Sequence, residues 1–112
     1  TCEGAFTYLA RDYGMEEGYL WPVNSESQVT PRRMVNLIKT IKENKVPTIF
    51  CESTVSSEAQ MEVAKSSGAV FGGTFYVDSL SDVNGPAPTY IDLLKHNVEL
   101  ITKGLSLPKV KK

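Results

Sequence analysis

The chain has 112 residues, with 12 Lys plus Arg against 13 Asp plus Glu and a formal net charge of −1. Hydrophobic residues make up 41% and charged residues 22%, which argues against a disordered, collagen-like or coiled-coil chain. A nucleic-acid scaffold would carry a clustered basic surplus, and no apolar run of about 18 residues is present that would span a membrane.

Helix and strand signals alternate from the start of the chain. A helix is predicted from apolar residues at the i, i+3, i+4, i+7 spacing, namely Phe6, Leu9, Ala10 and Tyr13. Gly14 is its expected C-cap. Tyr19–Trp21 is short, aromatic and followed by Pro22, which predicts a buried strand, and a polar loop is expected from Asn24 to Val29.

The middle of the chain predicts two further helices and a strand. Thr30-Pro31 is typical of a helix start, and the apolar face of this helix consists of Met34, Leu37, Ile38 and Ile41. Asn44 and Pro47 end it, and Thr48–Cys51 predicts the next strand. Ser57 with Gln60 fits a capping box for a third helix, which Gly68 ends.

A last strand and helix complete the pattern. The strand is expected over 70–77, with an irregularity at Gly72-Gly73. Thr89 is the expected cap of the last helix, which ends at Gly104 and has an apolar face formed by Ile91, Leu94, Val98 and Ile101. The order (β)αβαβαβα predicts an α/β fold: a Rossmann-like parallel sheet of about four strands with helices on both faces.

The residues with chemical potential follow the ends of the predicted strands. They are Cys2-Glu3, Trp21, Cys51-Glu52 and Asp78-Ser79. Because ligands of open α/β sheets bind outside the carboxyl ends of the strands, we expect three carboxylates and both cysteines on one rim of the sheet.

Each of these residues also has a purely structural interpretation. In a sheet of order 2-1-3-4 Cys2 and Cys51 are neighbours, and a disulfide and two buried free thiols are equally supported by the pattern. Glu3 and Glu52 suit helix caps, and Asp78 suits a turn. His96 is expected on the solvated surface, and Trp21 in the core.

Carboxylates gathered on one rim can hold a hard cation such as Mn²⁺, Mg²⁺ or Ca²⁺ or act as an acid–base pair. No G-x-S-x-G, H-E-x-x-H or phosphate-binding glycine loop supports catalysis.

Several motifs occur together in a recognisable order. They are Thr-Cys-Glu-Gly-Ala-Phe-Thr-Tyr-Leu at 1–9, Tyr-Leu-Trp-Pro-Val-Asn at 19–24, Thr-Pro-Arg-Arg at 30–33, Cys-Glu-Ser-Thr-Val at 51–55, Tyr-Val-Asp-Ser-Leu at 76–80 and Pro-Thr-Tyr at 88–90. In these motifs the chain resembles the C-terminal lobe of the metal-binding solute-binding proteins of ABC importers, in particular the manganese-binding branch.

The resemblance implies a half-site for a divalent metal. Glu3 and Asp78 would be the ligands of this lobe, and Glu52 and Trp21 would surround them without binding the metal. Zinc-specific relatives have histidine where Glu3 stands, so a carboxylate there favours Mn²⁺, with Fe²⁺ or Zn²⁺ as alternatives. Manganese-binding relatives from cyanobacteria also carry a disulfide that matches Cys2 and Cys51.

The resemblance further implies that residues 1–105 are one lobe of a two-lobe extracytoplasmic protein, with 106–112 as a basic tail. Two histidines of an N-terminal lobe outside this sequence would complete the site, and an ABC permease would receive the metal. No nucleic acid and no catalysis are expected, and the parent protein would meet the membrane only through a lipid anchor. The alternatives are a metal-assisted hydrolase using Glu3, Glu52 and Asp78, and a packing lobe with no metal affinity of its own.

Overall fold

The computed structural model describes residues 1–21 and 29–106. The described elements, in chain order, are α1 (Thr7–Asp12), α2 (Pro31–Asn44), β1 (Thr48–Glu52), α3 (Glu58–Ser67), β2 (Val70–Phe75) and α4 (Tyr90–Leu105). The predicted loop from Asn24 to Val29, apart from Val29 itself, and the basic tail beyond residue 106 lie outside the described residues. No helix in the described ranges is long and apolar enough to cross a membrane.

β1 and β2 form a parallel pair at the centre of the lobe. Their register shifts where Ile49 pairs with Phe71 and Phe50 pairs with Gly73, so that Gly72 is the extra residue. A Cβ atom on Gly72 would come within 2.7 Å of the Phe50 ring and would also collide with Thr48. The irregularity predicted at Gly72-Gly73 is therefore confirmed, and its physical reason is the close approach of β1 side chains.

The other two predicted strands are reduced to a single contact in the described residues. Glu3 and Trp21 form an isolated parallel bridge, supported by hydrogen bonds from Gly4 N to Trp21 O at 2.9 Å and from Leu20 N to Cys2 O at 2.9 Å. The parallel orientation is thus confirmed, whereas the described residues form a two-stranded sheet and one bridge instead of about four strands.

Helices cover both faces of the sheet. Because side chains alternate along a strand, Ile49 and Cys51 face the core cluster that contains Leu37, Ile41 and Val63 from α2 and α3. Thr48 and Phe50 face the opposite side, where they lie against Gly104 of α4. The prediction of an α/β fold with a parallel sheet and helices on both of its faces is confirmed.

The N-caps predicted for two helices are confirmed, and the one predicted for a third helix is not. The hydroxyls of Thr30 and Thr89 accept hydrogen bonds from the third residue of each helix, as expected of N-caps. The capping box of Ser57 and Gln60 is wrong, because Ser57 makes no side-chain cap hydrogen bond. Gln60 instead donates through Nε2 to Phe50 O at 2.9 Å, so its side chain reaches β1.

The predicted apolar faces of α1 and α4 differ from the buried ones. Of the predicted α1 face only Ala10 is fully buried, and Tyr13 is 74% exposed. In α4, Leu94 and Val98 remain exposed, and the side that meets β2 combines Leu100 with His96 and Asn97.

Gly104 does not end α4, which continues to Leu105. A Cβ atom at Gly104 would lie 2.7 Å from the Phe50 ring. This glycine therefore allows close packing of the helix on the sheet, and the helix ends one residue beyond the predicted position.

Candidate metal-binding edge

The predicted site residues lie at the carboxyl end of the parallel strands. Glu52 is the last residue of β1, Asp78 follows β2 by three residues, and Glu3 lies in the parallel bridge with Trp21. This is the edge at which ligands of open α/β sheets bind.

Glu52 accepts hydrogen bonds from the backbone of Cys2 and Glu3, one with each of its carboxylate oxygens. Oε1 accepts from Glu3 N at 2.6 Å, and Oε2 accepts from Cys2 N at 3.3 Å. Glu52 is only 1% exposed, and Glu3 is 8% exposed. The two residues therefore differ in role. The side chain of Glu52 accepts hydrogen bonds from main-chain amides, and the main chain of Glu3 is held in place by one of these bonds.

Burial governs the protonation of Glu52. Desolvation raises the pKa of its carboxyl group, while the amide of Glu3, the amino group of Thr1 and the amide of Cys2 lower it. The negative charge of Glu3 raises it further. The two amide hydrogen bonds thus partly offset the cost of burying a charge.

Trp21 supports the same short segment from the other side. Its carbonyl accepts from Gly4 N and its own amide donates to Cys2 O at 3.1 Å. Trp21 is 1% exposed, and its Nε1 atom donates to none of the described residues. The expectation of a core tryptophan is therefore confirmed. Trp21 is the main-chain bridge partner of Glu3.

A disulfide joins the two strand ends. Cys2 and Cys51 are bonded, with 4.9 Å between their Cα atoms, and both are fully buried. Of the two interpretations that the pattern supported equally, the disulfide is correct. Cys2 directly precedes Glu3, and Cys51 directly precedes Glu52. The disulfide therefore holds the two glutamates close together, in addition to the hydrogen bond between them.

Asp78 differs from Glu3 and Glu52 in its exposure to solvent. It is exposed and adopts a left-handed conformation with φ of 59°. The preceding Val77 donates to the Ser53 hydroxyl at 3.4 Å, and Ser53 N donates to Phe75 O at 2.8 Å. The turn after β2 is thus attached to the residue that follows Glu52.

The structure brings Glu3, Glu52 and the disulfide together and places Asp78 on the adjoining turn. Within residues 1–21 and 29–106, no group of three or more His, Cys, Asp or Glu side chains is arranged to hold a metal ion.

Some supporting residues were missed by the sequence reasoning. Glu17 accepts from Phe6 N and from the Thr7 hydroxyl, both at 2.7 Å. It therefore caps α1, the role that Glu3 was considered for. No short-range spacing signals this contact, because Glu17 lies beyond the helix that it caps.

Two polar residues of α4, His96 and Asn97, contact the main chain at the end of β2. His96 Nε2 lies 2.9 Å from Thr74 O, and Asn97 exchanges two hydrogen bonds of 3.0 Å with the backbone of Tyr76. His96 is half-buried, so the expectation of a solvated histidine was wrong. The sequence did show that His96 lies off the predicted apolar face of α4. The side of the helix that carries His96 is the side that contacts β2.

The chain therefore has an α/β fold with acidic residues at the carboxyl end of parallel strands, the edge at which proteins with open α/β sheets bind their ligands. Residues 1–104 match the family model described as ZnuA, zinc-uptake complex component A, periplasmic. The chain belongs to this family.

Relatives of the chain bind different metals. It is 52% identical over 104 residues to the iron-binding protein YfeA of Yersinia pestis, covering 93% of this chain and 33% of that protein. It is 29% identical over 106 residues to the manganese ABC transporter substrate-binding lipoprotein PsaA of Streptococcus mitis, covering 95% and 34%.

Solved structures share the fold. A manganese-bound periplasmic metal-binding protein from Candidatus Liberibacter asiaticus superimposes with a TM-score of 0.82 at 43% identity, covering 93% of this chain and 38% of that one. The periplasmic zinc-binding protein TroA of Treponema pallidum gives 0.82 at 28% identity, covering 95% and 40%.

The chain spans about a third of the length of the curated relatives it matches. These relatives are binding proteins and transporter components rather than enzymes, which confirms the prediction of a non-enzymatic family and leaves the hydrolase alternative without support. The family model and several relatives are described as periplasmic or as lipoproteins, so the predicted extracytoplasmic family is also confirmed.

Proposed function

We propose that this chain is the C-terminal lobe of a solute-binding protein that delivers a divalent transition metal, with Mn²⁺ favoured, to an ABC permease. In this proposal Glu3 and Asp78 are the metal ligands that the lobe contributes. Glu52 and Trp21 position Glu3 and do not bind the metal.

The observation that carries the proposal is the pair of hydrogen bonds from the amides of Cys2 and Glu3 to the Glu52 carboxylate. Burying a carboxylate costs free energy unless it is well paired, and Glu52 is buried to hold two main-chain atoms at one strand end. Supporting groups that orient ligands in this way are typical of metal sites. The result is a carboxylate of fixed position at the ligand-binding edge.

The donor type supports the metal preference. Carboxylate oxygens suit Mn²⁺, whereas imidazole suits Zn²⁺ and other later transition metals. The two ligands proposed here are both carboxylates. The relatives include proteins named for iron, manganese and zinc, and we propose Mn²⁺ from the ligand chemistry of this chain.

The site is proposed to be completed by another part of the parent protein. Two carboxylates are fewer ligands than Mn²⁺ requires, and the described residues contain no group of three candidate ligands. We propose that an N-terminal lobe supplies the remaining ligands, two of them histidines, and that the metal is bound between the lobes. Closure around the metal would present both lobes to the permease.

Calorimetric titration of the full-length parent protein with Mn²⁺ tests the ligand assignment. Glu3→Gln and Asp78→Asn should each weaken binding by more than the 10–100-fold typical of a lost supporting residue. Glu62→Gln on the exposed side of α3 is the matched control and should leave the affinity unchanged. Undiminished affinity in a protein carrying both Glu3→Gln and Asp78→Asn would contradict the proposal.

A second candidate is a lobe that packs within the parent protein and has no metal affinity of its own. The exposure of Asp78 and the lack of a group of three candidate metal ligands among the described residues favour it. A thermal melt of the 112-residue chain with and without excess Mn²⁺ distinguishes the two, because a ligand that binds only the folded state raises the Tm. An unchanged Tm, with unaltered binding in the full-length double variant, would favour the packing lobe.

A further inference from the structure

The segment that leads from β2 to Asp78 extends beyond the sheet. The parallel ladder ends where Phe75 pairs with Glu52, so Tyr76 and Val77 lie outside it. Asp78 comes next and is exposed, and packing therefore does not fix its side chain. The position of its carboxylate depends on what holds the main chain just before it.

Asn97 of α4 acts at Tyr76 in the way that a neighbouring strand would. Its Oδ1 atom accepts from Tyr76 N and its Nδ2 atom donates to Tyr76 O, both at 3.0 Å. One half-buried side chain thus satisfies both the donor and the acceptor of one residue, as a residue of an adjacent antiparallel strand does. The main-chain support of β2 is thereby continued past the end of the ladder.

The other attachments of this segment restrain it less. Val77 N donates to the Ser53 hydroxyl at 3.4 Å, which is longer than the usual N–H···O distance of about 2.7–3.2 Å. His96 Nε2 lies 2.9 Å from Thr74 O, but Thr74 already belongs to the ladder with β1. Among the described contacts, the two bonds of Asn97 are therefore the main restraint on the chain beyond β2.

The main-chain conformation of Asp78 provides an independent observation. Its φ of 59° is left-handed, and a residue other than glycine keeps this conformation only where the surrounding structure imposes it. The constraints lie on the two residues before it, through the hydrogen bonds of Tyr76 and Val77. Such imposed conformations cluster at ligand-binding sites, and the residue concerned is one of the two proposed metal ligands.

We infer that Asn97 is a positioning residue of the metal site, because its two bonds to Tyr76 hold the turn that carries Asp78 and so preorganise this carboxylate for Mn²⁺. The inference rests on the proposed role of Asp78 as a ligand. Asn97 does not bind the metal in this arrangement. Loss of a supporting group of this kind typically weakens metal binding by about 10–100-fold.

The experiment is a double-mutant cycle in the full-length parent protein, with Mn²⁺ affinity measured by calorimetry. The four proteins are wild type, Asn97→Ala, Asp78→Asn and the variant that carries both substitutions. Asn97→Ala should weaken Mn²⁺ binding by at least about tenfold. In the Asp78→Asn background the same substitution should weaken it by less than about twofold, because a positioning residue and the ligand that it positions have non-additive effects.

Two further variants keep the result interpretable. Gly104→Ala is the control for a general loss of stability, since its methyl group would crowd Phe50, and it should leave the Mn²⁺ affinity unchanged. Should Asn97→Ala not fold, Asn97→Ser enters the cycle with the same expectation, because a serine hydroxyl is too short to reach both backbone groups of Tyr76.

The cycle separates failure of this inference from failure of the proposed function. If Asp78→Asn weakens binding, an unchanged affinity in Asn97→Ala would overturn the inference, as would an equal loss in both backgrounds or an equal loss in Gly104→Ala. If Asp78→Asn alone binds Mn²⁺ as tightly as wild type, the proposed ligand role is wrong and the inference is overturned with it.

Discussion

At the scale of single residues, Glu52 shows how a buried charge is used to position a main-chain segment. Its two oxygens accept from two consecutive amides, across 49 and 50 positions of sequence. The strand-end location of Glu3, Glu52 and Asp78 could be predicted from the sequence, because it depends on local strand signals. The pairing of Glu52 with amides could not, because it depends on how distant segments come together.

Glu52→Gln should reduce the free energy of unfolding by about 1–3 kcal/mol. The amide side chain keeps one acceptor but turns an N–H₂ group toward the second backbone donor, so one buried amide loses its partner. Urea unfolding at neutral pH measures the change. Glu62→Gln on the exposed side of α3 should stay within about 0.5 kcal/mol of wild type, and an equally small effect of Glu52→Gln would show that the two hydrogen bonds do not stabilise the fold.

The raised pKa of Glu52 gives stability a defined dependence on pH. Since burial makes the folded protein hold this proton more tightly than the unfolded chain, the contribution of Glu52 is complete below the ordinary glutamate pKa of about 4.3. It declines as the pH rises through the raised value in the folded state. The stability advantage of wild type over Glu52→Gln should therefore narrow with rising pH, and urea midpoints across this range measure it. An advantage that widens would contradict the assignment.

At the scale of elements, α4 shows which parts of a helix a sequence reveals. Its start could be predicted, because the cap at Thr89 is a contact with a residue three positions along. Its buried side could not, because His96 and Asn97 satisfy main-chain groups of β2. A hydrophobic pattern cannot signal a buried face that consists partly of polar side chains. Gln60 of α3, which bonds to β1, escaped prediction for the same reason.

Gly104→Ala should destabilise the protein by about 1 kcal/mol, although alanine favours helices. The new methyl group would lie 2.7 Å from the Phe50 ring and 2.9 Å from Thr48 Cγ2, and overpacking costs about 1–3 kcal/mol against the roughly 1 kcal/mol gained in helix propensity. Thermal unfolding checks this, with the exposed Thr102→Ala of the same helix as control. The control should be neutral or stabilising; a stabilising Gly104→Ala would contradict the packing argument.

At the scale of the whole molecule, the disulfide is the connection that holds the two halves of the acidic edge together. It joins residues 49 positions apart, so closing this loop restricts the unfolded chain strongly. The sequence placed both cysteines at strand ends but supported free thiols equally well. Only the tertiary arrangement, with Cys2 beside β1, decides between them.

Replacing both cysteines by alanine should reduce the free energy of unfolding by about 4 kcal/mol in the chain-entropy model. Alanine is the appropriate replacement, because both sites are fully buried and a serine hydroxyl would need a partner there. Urea unfolding of the variant should match that of the wild type under reducing conditions. A thiol assay on denatured, unreduced wild type should find no free thiol, and a count of two would rule the bond out.

The same disulfide divides the polypeptide into a covalent ring and an open arm. Residues 2–51 form the ring, which contains α1, α2 and most of β1, whereas α3, β2 and α4 belong to the arm. One peptide-bond cleavage within the ring would leave both fragments of the chain attached to each other, while one in the arm would release a piece. The two proposed ligands divide in the same way, since Glu3 belongs to the ring and Asp78 to the arm. A proteolytic nick between β2 and Asp78 would break the covalent connection between these ligands. A nick between α1 and α2 would leave them covalently connected through the disulfide.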